Sequence, residues 1–156
     1  MPPKPYLDIK KLDFDNVIAN QEEIYKILPH RYEFMRLDAV VSLVPEKSVA
    51  GYHDVRDDDF WVRGHIPGRP IFPGVIMIET AAQLVSYCVM AKTHRTDFLG
   101  FGGVDDVKFR GSVGLGDRIV MLGKMIEIRP RRCKGEVQGF VDGKMVFQGT
   151  ITGMWL

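Results

Sequence analysis

The sequence predicts an α+β fold in which a curved antiparallel sheet of about six strands wraps around one long central helix. Two observations carry this prediction. The segment from Val75 to Ala91 is apolar on nearly all sides of a helix, so other parts of the protein must surround it. Strand-like stretches precede and follow it, with turn signals between neighbours. At 156 residues the chain suits one domain, 1–156, with residues 1–20 as an N-terminal extension.

The central helix is predicted over residues 75–91, which would span roughly 25 Å. Four polar residues interrupt the apolar run: Glu79, Thr80, Gln83 and Ser86. The run is also slightly short for a membrane span, so we expect a buried core helix and no membrane insertion. A shorter helix is expected from Glu22 to Leu28, because Pro29 disfavours helical geometry at the residue before it.

Six segments rich in β-branched and apolar residues are predicted to be strands: 34–44, 47–55, 104–113, 118–128, 134–141 and 144–154. Pro45-Glu46 marks a turn between the first two. Asp142-Gly143 is a type I′ hairpin signal, because both positions tolerate a positive φ. Residues 56–74 hold three prolines and three glycines, which predicts an irregular but ordered loop.

Composition excludes some classes of function. The 21 basic and 20 acidic residues give a formal net charge of +1, whereas a nucleic-acid binder usually has a basic excess. Cys88 and Cys133 form no C-x-x-C pair and give no reason to expect an oxidising compartment. The N-terminal segment lacks the apolar stretch of a secretory signal, so we expect a cytoplasmic location.

Glu79 is the first candidate for chemistry, because glutamate is rarely buried without a partner or a task. Burial favours the protonated form of a carboxyl group, which a general acid needs. Gln83 lies four residues further on, on the same helix face, where its amide would orient the carboxyl group. The alternative is a structural glutamate that the helix dipole stabilises near the N-terminus.

His65 is the second candidate, fourteen positions before Glu79 in a loop of glycine and proline. An imidazole titrates near neutral pH, which suits a general base. The alternative is a structural or surface histidine, and this interpretation is assigned to His30, His53 and His94. The histidine spacings match no usual ligand set, so no metal is expected.

Two further features have both a functional and a structural interpretation. Gly74 lies at the helix start. In the functional interpretation, the free backbone N–H groups there would polarise a thioester carbonyl. In the structural interpretation, the glycine simply begins the helix. Basic residues recur at Lys108, Arg110, Arg129, Arg131, Arg132 and Lys134. Such residues usually form a solvated face, but they would also steer an acidic partner.

Three motifs resemble the FabZ-type dehydratases of fatty-acid synthesis, which act on (3R)-3-hydroxyacyl chains bound to acyl carrier protein. They are Leu28-Pro29-His30-Arg31-Tyr32, the loop GHIPGRP at 64–70 and the helix start FPGVIMIETAAQ at 72–83. Residues 103–110 and Gly116-Asp117 are similar to the strand and turn that follow in that family. The resemblance runs from about residue 24 to 153.

The resemblance implies the hot-dog form of the predicted fold and a homodimer, which can associate as a trimer of dimers. Each active site would take His65 from one subunit and Glu79 from the other. His65 would accept the C2 proton, Glu79 would protonate or hold the leaving C3 hydroxyl, and the Gly74 amide would bind the thioester carbonyl. The remaining predicted substrate contacts are Phe72, Val75 and Gln83.

The implied substrate arrives on the phosphopantetheine of an acidic acyl carrier protein, with no other cofactor. Its acyl chain would lie in an apolar tunnel at the dimer interface, and the carrier would dock on the six basic residues named above. Glutamate at position 79, in place of aspartate, resembles the branch that dehydrates without isomerising the double bond.

Some positions depart from the family pattern: Glu33, Arg36, Gly111-Ser112 and Gly114-Leu115. They leave the catalytic pair intact, but they bear on chain length and carrier recognition, and Arg36 would either reshape the tunnel or pair with Asp38. Two other functions remain open. A hot-dog acyl thioesterase also places a carboxylate on the central helix, and a non-catalytic acyl-carrier-binding subunit would keep the fold without turnover.

Overall fold

The computed structural model describes residues 2–156, and these form one antiparallel sheet with two α-helices. In chain order the elements are β1 (Ala19–Asn20), α1 (Gln21–Tyr25), β2 (Ala39–Val44), β3 (Ser48–Asp54), α2 (Gly74–Met90), β4 (Leu99–Phe109), β5 (Arg118–Ile128), β6 (Arg132–Val141) and β7 (Lys144–Trp155). The strand order is β1-β2-β3-β5-β6-β7-β4, and every neighbouring pair is antiparallel.

The sheet curves around α2 and buries the apolar side chains of that helix. Leu84 of α2 is fully buried, and two sheet glycines face it. A Cβ atom at Gly51 would lie 3.1 Å from Leu84 Cδ1 and only 2.6 Å from the carbonyl oxygen of Ala39. Gly123 of β5 faces Leu84 Cδ2 in a similar way. The absence of these Cβ atoms lets the strands approach the helix closely, and the predicted hot-dog arrangement is confirmed.

The N-terminal segment covers the opposite face of the sheet. Tyr6, Leu7, Ile9, Leu12, Phe14 and Val17 pack against a second apolar cluster on that face. The buried Gln138 of β6 fixes the segment, because its Oε1 accepts the Tyr6 N–H and its Nε2 donates to the Lys4 carbonyl oxygen, both at 2.9 Å. Residues 4–17 are therefore part of the folded sheet assembly.

Two strand predictions were wrong in their bounds. The strand expected from residue 34 begins only at Ala39, and residues 32–34 form a turn of 3-10 helix. The side chain of Gln83 bonds the backbone of Phe34 and Arg36, which takes these groups away from strand pairing.

The strand expected over 104–113 instead runs from Leu99 to Phe109. Gly100 and Gly102 make the first part of this strand resemble a loop in composition. Their missing Cβ atoms let β4 pass close to the side chains of Leu156 and Met154, each only 2.7 Å from the position that a Cβ would occupy. β1 was not predicted, because two residues are too short for a periodic pattern.

Other predictions are confirmed. The central helix runs from Gly74 to Met90, within one residue of the expected bounds. The short helix is present as α1, Gln21–Tyr25, but it ends three residues before the expected Leu28. Residues 55–73 contain no helix or strand, and the hairpin at Asp142-Gly143 has φ values of 49° and 77°. Within the described residues, neither helix combines the length and apolar character that a membrane crossing requires.

Candidate active site

The carboxyl group of Glu79 lies in the second turn of α2, half-buried instead of fully buried. Gln83 Nε2 donates to Glu79 Oε1 at 2.9 Å, as the spacing of four residues predicts. His30 Nε2 lies 3.5 Å from the same oxygen. No residue within 2–156 donates to Oε2 of this carboxyl group, so that oxygen is free for a ligand.

Gln83 is itself held by the segment before β2. Its Oε1 accepts the backbone N–H of Arg36 at 2.8 Å, and its Nε2 also donates to the carbonyl oxygen of Phe34. The side chain is buried, so these bonds are shielded from water. The predicted supporting role of Gln83 thus has a geometric basis: the amide is fixed before it meets Glu79.

His30 lies at this site, although the sequence alone favoured a structural interpretation. Its side chain is 19% exposed, and its Nδ1 atom is buried without a partner in the described chain. Burial lowers the pKa of His30 below its ordinary value; Glu79 opposes this shift when it is ionised, and the charge of Arg31 adds to it. The sequence feature that could have placed His30 at this site is the motif at 28–32, which contains it.

His65 lies in an exposed but ordered loop. Its Nδ1–H donates to the carbonyl oxygen of Ile71 at 2.7 Å, which leaves Nε2 unprotonated in the neutral ring. The His65 backbone is fixed as well, since its N–H donates to the Trp61 carbonyl and its own carbonyl accepts the Ile71 N–H, both at 2.9 Å. The imidazole therefore presents a base to the surface of the protomer.

Phe72, a predicted substrate contact, is buried in the core of the protomer. It is 1% exposed, and its ring packs between His53 and Trp61 at centroid distances of 5.3 and 5.5 Å. Its N–H donates to the Val113 carbonyl oxygen at 2.8 Å. Phe72 thus anchors the end of the His65 loop in the core, and the segment 111–115 supplies the anchor point.

Gly74 begins α2 beside an aromatic ring. A Cβ atom there would lie 2.8 Å from Cε1 and Cζ of Phe109, so only glycine fits without displacement of that ring. The backbone N–H groups of Gly74 and Val75 have no acceptor among residues 2–156. The positive end of the helix dipole adds to the attraction of this position for a developing negative charge.

Two cavities meet at Glu79. The first, which we call the β4 cavity, has a volume of about 310 Å³ and lies between α2 and the start of β4; its lining includes His30, Glu79, Gln83, Phe98 and Phe101. The second, the Arg36 cavity, has a volume of about 600 Å³ and is lined by Glu33, Phe34, Arg36, Phe60, Val75, Ile76 and Glu79. His65 lines neither of these two cavities.

Residues 28–150 match the model of the FabA-like domain family. The chain belongs to the FabA-like family. It is 35% identical over 133 residues to the 3-hydroxyacyl-[acyl-carrier-protein] dehydratase FabZ of Clostridium botulinum (strain Loch Maree / Type A3), which covers 83% of this chain and 90% of that protein. It is 35% identical over 136 residues to the FabZ of Enterococcus faecalis, which covers 85% of this chain and 94% of that protein.

A solved structure shares the fold of this FabA-like chain. The dehydratase heterocomplex ApeI:P from Xenorhabdus doucetiae superposes with a TM-score of 0.72 at 16% identity, over 85% of this chain and 90% of the other. At that identity the likeness concerns the fold alone.

Arg36 of this FabA-like domain does not pair with Asp38, one of the two outcomes expected for it. Asp38 contacts His53 and Arg56, whereas the Arg36 guanidinium donates to Asp59 at 2.9 and 3.4 Å. Burial by itself would raise the pKa of Asp59, but the hydrogen bonds and charge of Arg36 outweigh burial and lower it. Arg36 lines the larger cavity, and its expected effect on an acyl tunnel stays a prediction.

The six predicted docking residues lie in two separate groups. Lys108 and Arg110 flank Phe109, and therefore lie near the start of α2. The other group surrounds the β5–β6 turn, near the end of α2: Arg129, Arg131, Arg132 and Lys134. Along β7, the partner of Lys108 and that of Arg132 are six positions apart, which corresponds to roughly 20 Å. One chain therefore offers no single basic patch.

Proposed function

We propose that this FabA-like protein catalyses the reversible dehydration of (3R)-3-hydroxyacyl chains on acyl carrier protein to the trans-2-enoyl thioester. The relatives that cover most of the chain are dehydratases of this name. The observation that carries the proposal is the Glu79 carboxyl group, which His30 and Gln83 approach on one oxygen while the other stays free beside two apolar cavities.

The proposed reaction assigns one proton movement to each side chain. His65 Nε2 removes the C2 proton, and the negative charge that develops on the thioester oxygen is held by the Gly74 N–H. Glu79 transfers its proton to the C3 hydroxyl, which leaves as water while the C2–C3 double bond forms. His65 ends protonated and Glu79 ionised, and one proton passed back from His65 to Glu79 restores the starting state.

The reaction needs a dimer in this proposal. β4 is an edge strand of the sheet, and Phe101 and Val104 on it are 48% and 38% exposed. An edge strand with exposed apolar side chains is a surface for pairing with another chain. In this proposal, pairing of two copies through β4 covers the adjoining β4 cavity and brings His65 of the partner subunit towards Glu79.

The substrate carries its own phosphopantetheine arm, so the proposed chemistry requires no further cofactor. Lys108 and Arg110 are the better placed of the two basic groups for the carrier, because Phe109 between them contacts the start of α2. A carrier bound there would insert its thioester beside Gly74.

The purified protein, incubated with (3R)-3-hydroxyacyl carrier protein of several chain lengths, tests this proposal. We expect the absorbance of the conjugated enoyl thioester to rise without release of free thiol, and the (3S) substrate to remain unchanged. Glu79→Gln, which keeps the size of the side chain and removes the acid, is the matched control and should lose about 10²- to 10⁴-fold in kcat. Free thiol without enoyl product would instead identify a thioesterase, and neither signal would identify a non-catalytic subunit.

A further inference from the structure

Arg36 is the least expected residue in the lining of the larger cavity. Most of that lining is apolar: Phe34, Phe60, Val75 and Ile76. The Arg36 side chain is only 7% exposed, although guanidinium groups rarely leave water. A buried guanidinium group needs hydrogen-bond acceptors for its N–H donors.

Asp59 accounts for the charge of Arg36 but not for all of its donors. The two Nη atoms donate to the two Asp59 oxygens at 2.9 and 3.4 Å, so the pair is close to neutral as a unit. A guanidinium has five N–H donors. The Nε–H has no acceptor within residues 2–156, but its nitrogen is buried out of reach of a ligand. Each Nη atom keeps a second hydrogen without a protein partner there, and these two are the donors left for a ligand.

The guanidinium is also held in place from several sides. The Arg36 backbone N–H is fixed by Gln83, the residue that orients Glu79. Its Cζ lies 5.7 Å from the centre of the Phe60 ring, and the N–H of Phe60 donates to Asp59 at 2.8 Å. A donor set that is fixed before binding loses little freedom when an acceptor arrives, which favours specific recognition.

We propose that Arg36 is a specificity-determining residue and that the Arg36 cavity binds an acyl group carrying a neutral hydrogen-bond acceptor, such as an ether, hydroxyl or carbonyl oxygen, beyond the reacting carbons. The acceptor is neutral because Asp59 already balances the guanidinium charge. The ligand is an acyl group because the rest of the lining is mostly apolar. This inference rests on the proposed function, since it assigns the substrate class of the same site.

Binding of inert substrate analogues separates this inference from the dehydration itself. The probes are acyl-pantetheine amides that share one arm and differ only in the tail, in which successive methylenes are replaced by an ether oxygen. We expect calorimetry to give one oxygen position that binds about tenfold more tightly than the all-methylene tail, because an apolar tail leaves buried donors unpaired. Equal affinities for all tails, or no binding of any, would overturn the inference whether or not the protein dehydrates thioesters.

A double variant links the preference to Arg36. Arg36→Met with Asp59→Asn removes the ion pair without leaving a lone buried carboxylate, and the asparagine oxygen still accepts the Phe60 N–H. The tenfold preference should vanish in this variant and persist in Arg56→Met, which removes an exposed arginine elsewhere. A preference that survives the double variant would exclude Arg36 as its source. The wild-type comparison remains decisive if the double variant does not fold.

Discussion

The Nε2 atom of His30 lies 3.5 Å from Oε1 of Glu79, the oxygen that also accepts the Gln83 amide. Two neighbours on one oxygen orient the carboxyl group and leave Oε2 for the substrate. His30 comes from the segment after α1 and Gln83 from α2, so two parts of the chain position one acid.

His30→Gln should lower kcat while leaving the fold intact. Glutamine lacks the imidazole ring that lies against Glu79, so the carboxyl group becomes more mobile. Misplacement of a reacting group by about 1 Å costs up to about 10²-fold in rate. We expect kcat to fall about tenfold with little change in KM, measured by enoyl formation. His94→Gln, in an exposed loop, is the control and should be neutral. Equal rates for both variants would remove His30 from the positioning of Glu79.

The same histidine should make stability depend on pH. Its pKa in the folded protein is lowered, chiefly by burial, so the unfolded chain binds more protons just below the ordinary value of 6.5. The free energy of unfolding should therefore fall as pH drops below about 6.5, and this loss should be smaller in His30→Gln. Urea unfolding at several pH values measures both. Asp38 and Asp59, whose pKa values are lowered, titrate below this window and are common to both proteins. Parallel pH curves for the two proteins would contradict the assignment.

Local patterns predicted the parts of the site that lie within one element. The spacing of four residues placed Gln83 against Glu79, and the apolar run gave the bounds of α2 within one residue. His30 is 49 positions from Glu79 in sequence, and only the packing of the chain brings the two together. The predicted pairing of Arg36 with Asp38 was wrong for the same reason, because Asp38 is near in sequence but Asp59 is near in space.

Gly74→Ala should disturb the helix start through Phe109. The added methyl group would lie 2.8 Å from two ring atoms, and accommodation of such overpacking typically costs about 1–3 kcal/mol of stability. Phe109→Leu should relieve the clash, so the double variant should be more stable than the two single variants predict. A thermal-unfolding cycle of the four proteins measures this coupling. Strict additivity would show that the ring does not restrict position 74.

Charge reversal should distinguish the two basic groups as docking sites. Lys108→Glu with Arg110→Glu alters the group near the start of α2 and should raise KM for the carrier-bound substrate about tenfold at low salt. KM for a small pantetheine thioester should not change, because that substrate lacks the acidic carrier. Arg129→Glu with Arg131→Glu is the matched control at the far end of the helix and should have a smaller effect. A larger effect of the second pair would place the carrier at the β5–β6 turn.

Mixing two inactive variants should restore activity if each site combines two subunits. His65→Ala and Glu79→Gln homodimers would each lack one essential group at both sites. In a heterodimer of the two, one site would receive both substitutions and the other would receive neither, so that one site would work. Random exchange of equal amounts should then recover about a quarter of the wild-type rate, since half of the dimers are mixed and each has one intact site. The measurement is enoyl formation after co-expression or after reversible dissociation. If both groups came from the same chain, every site in every dimer would be defective and the mixture would stay inactive; that outcome would also leave unexplained why His65 lies outside both cavities that Glu79 lines.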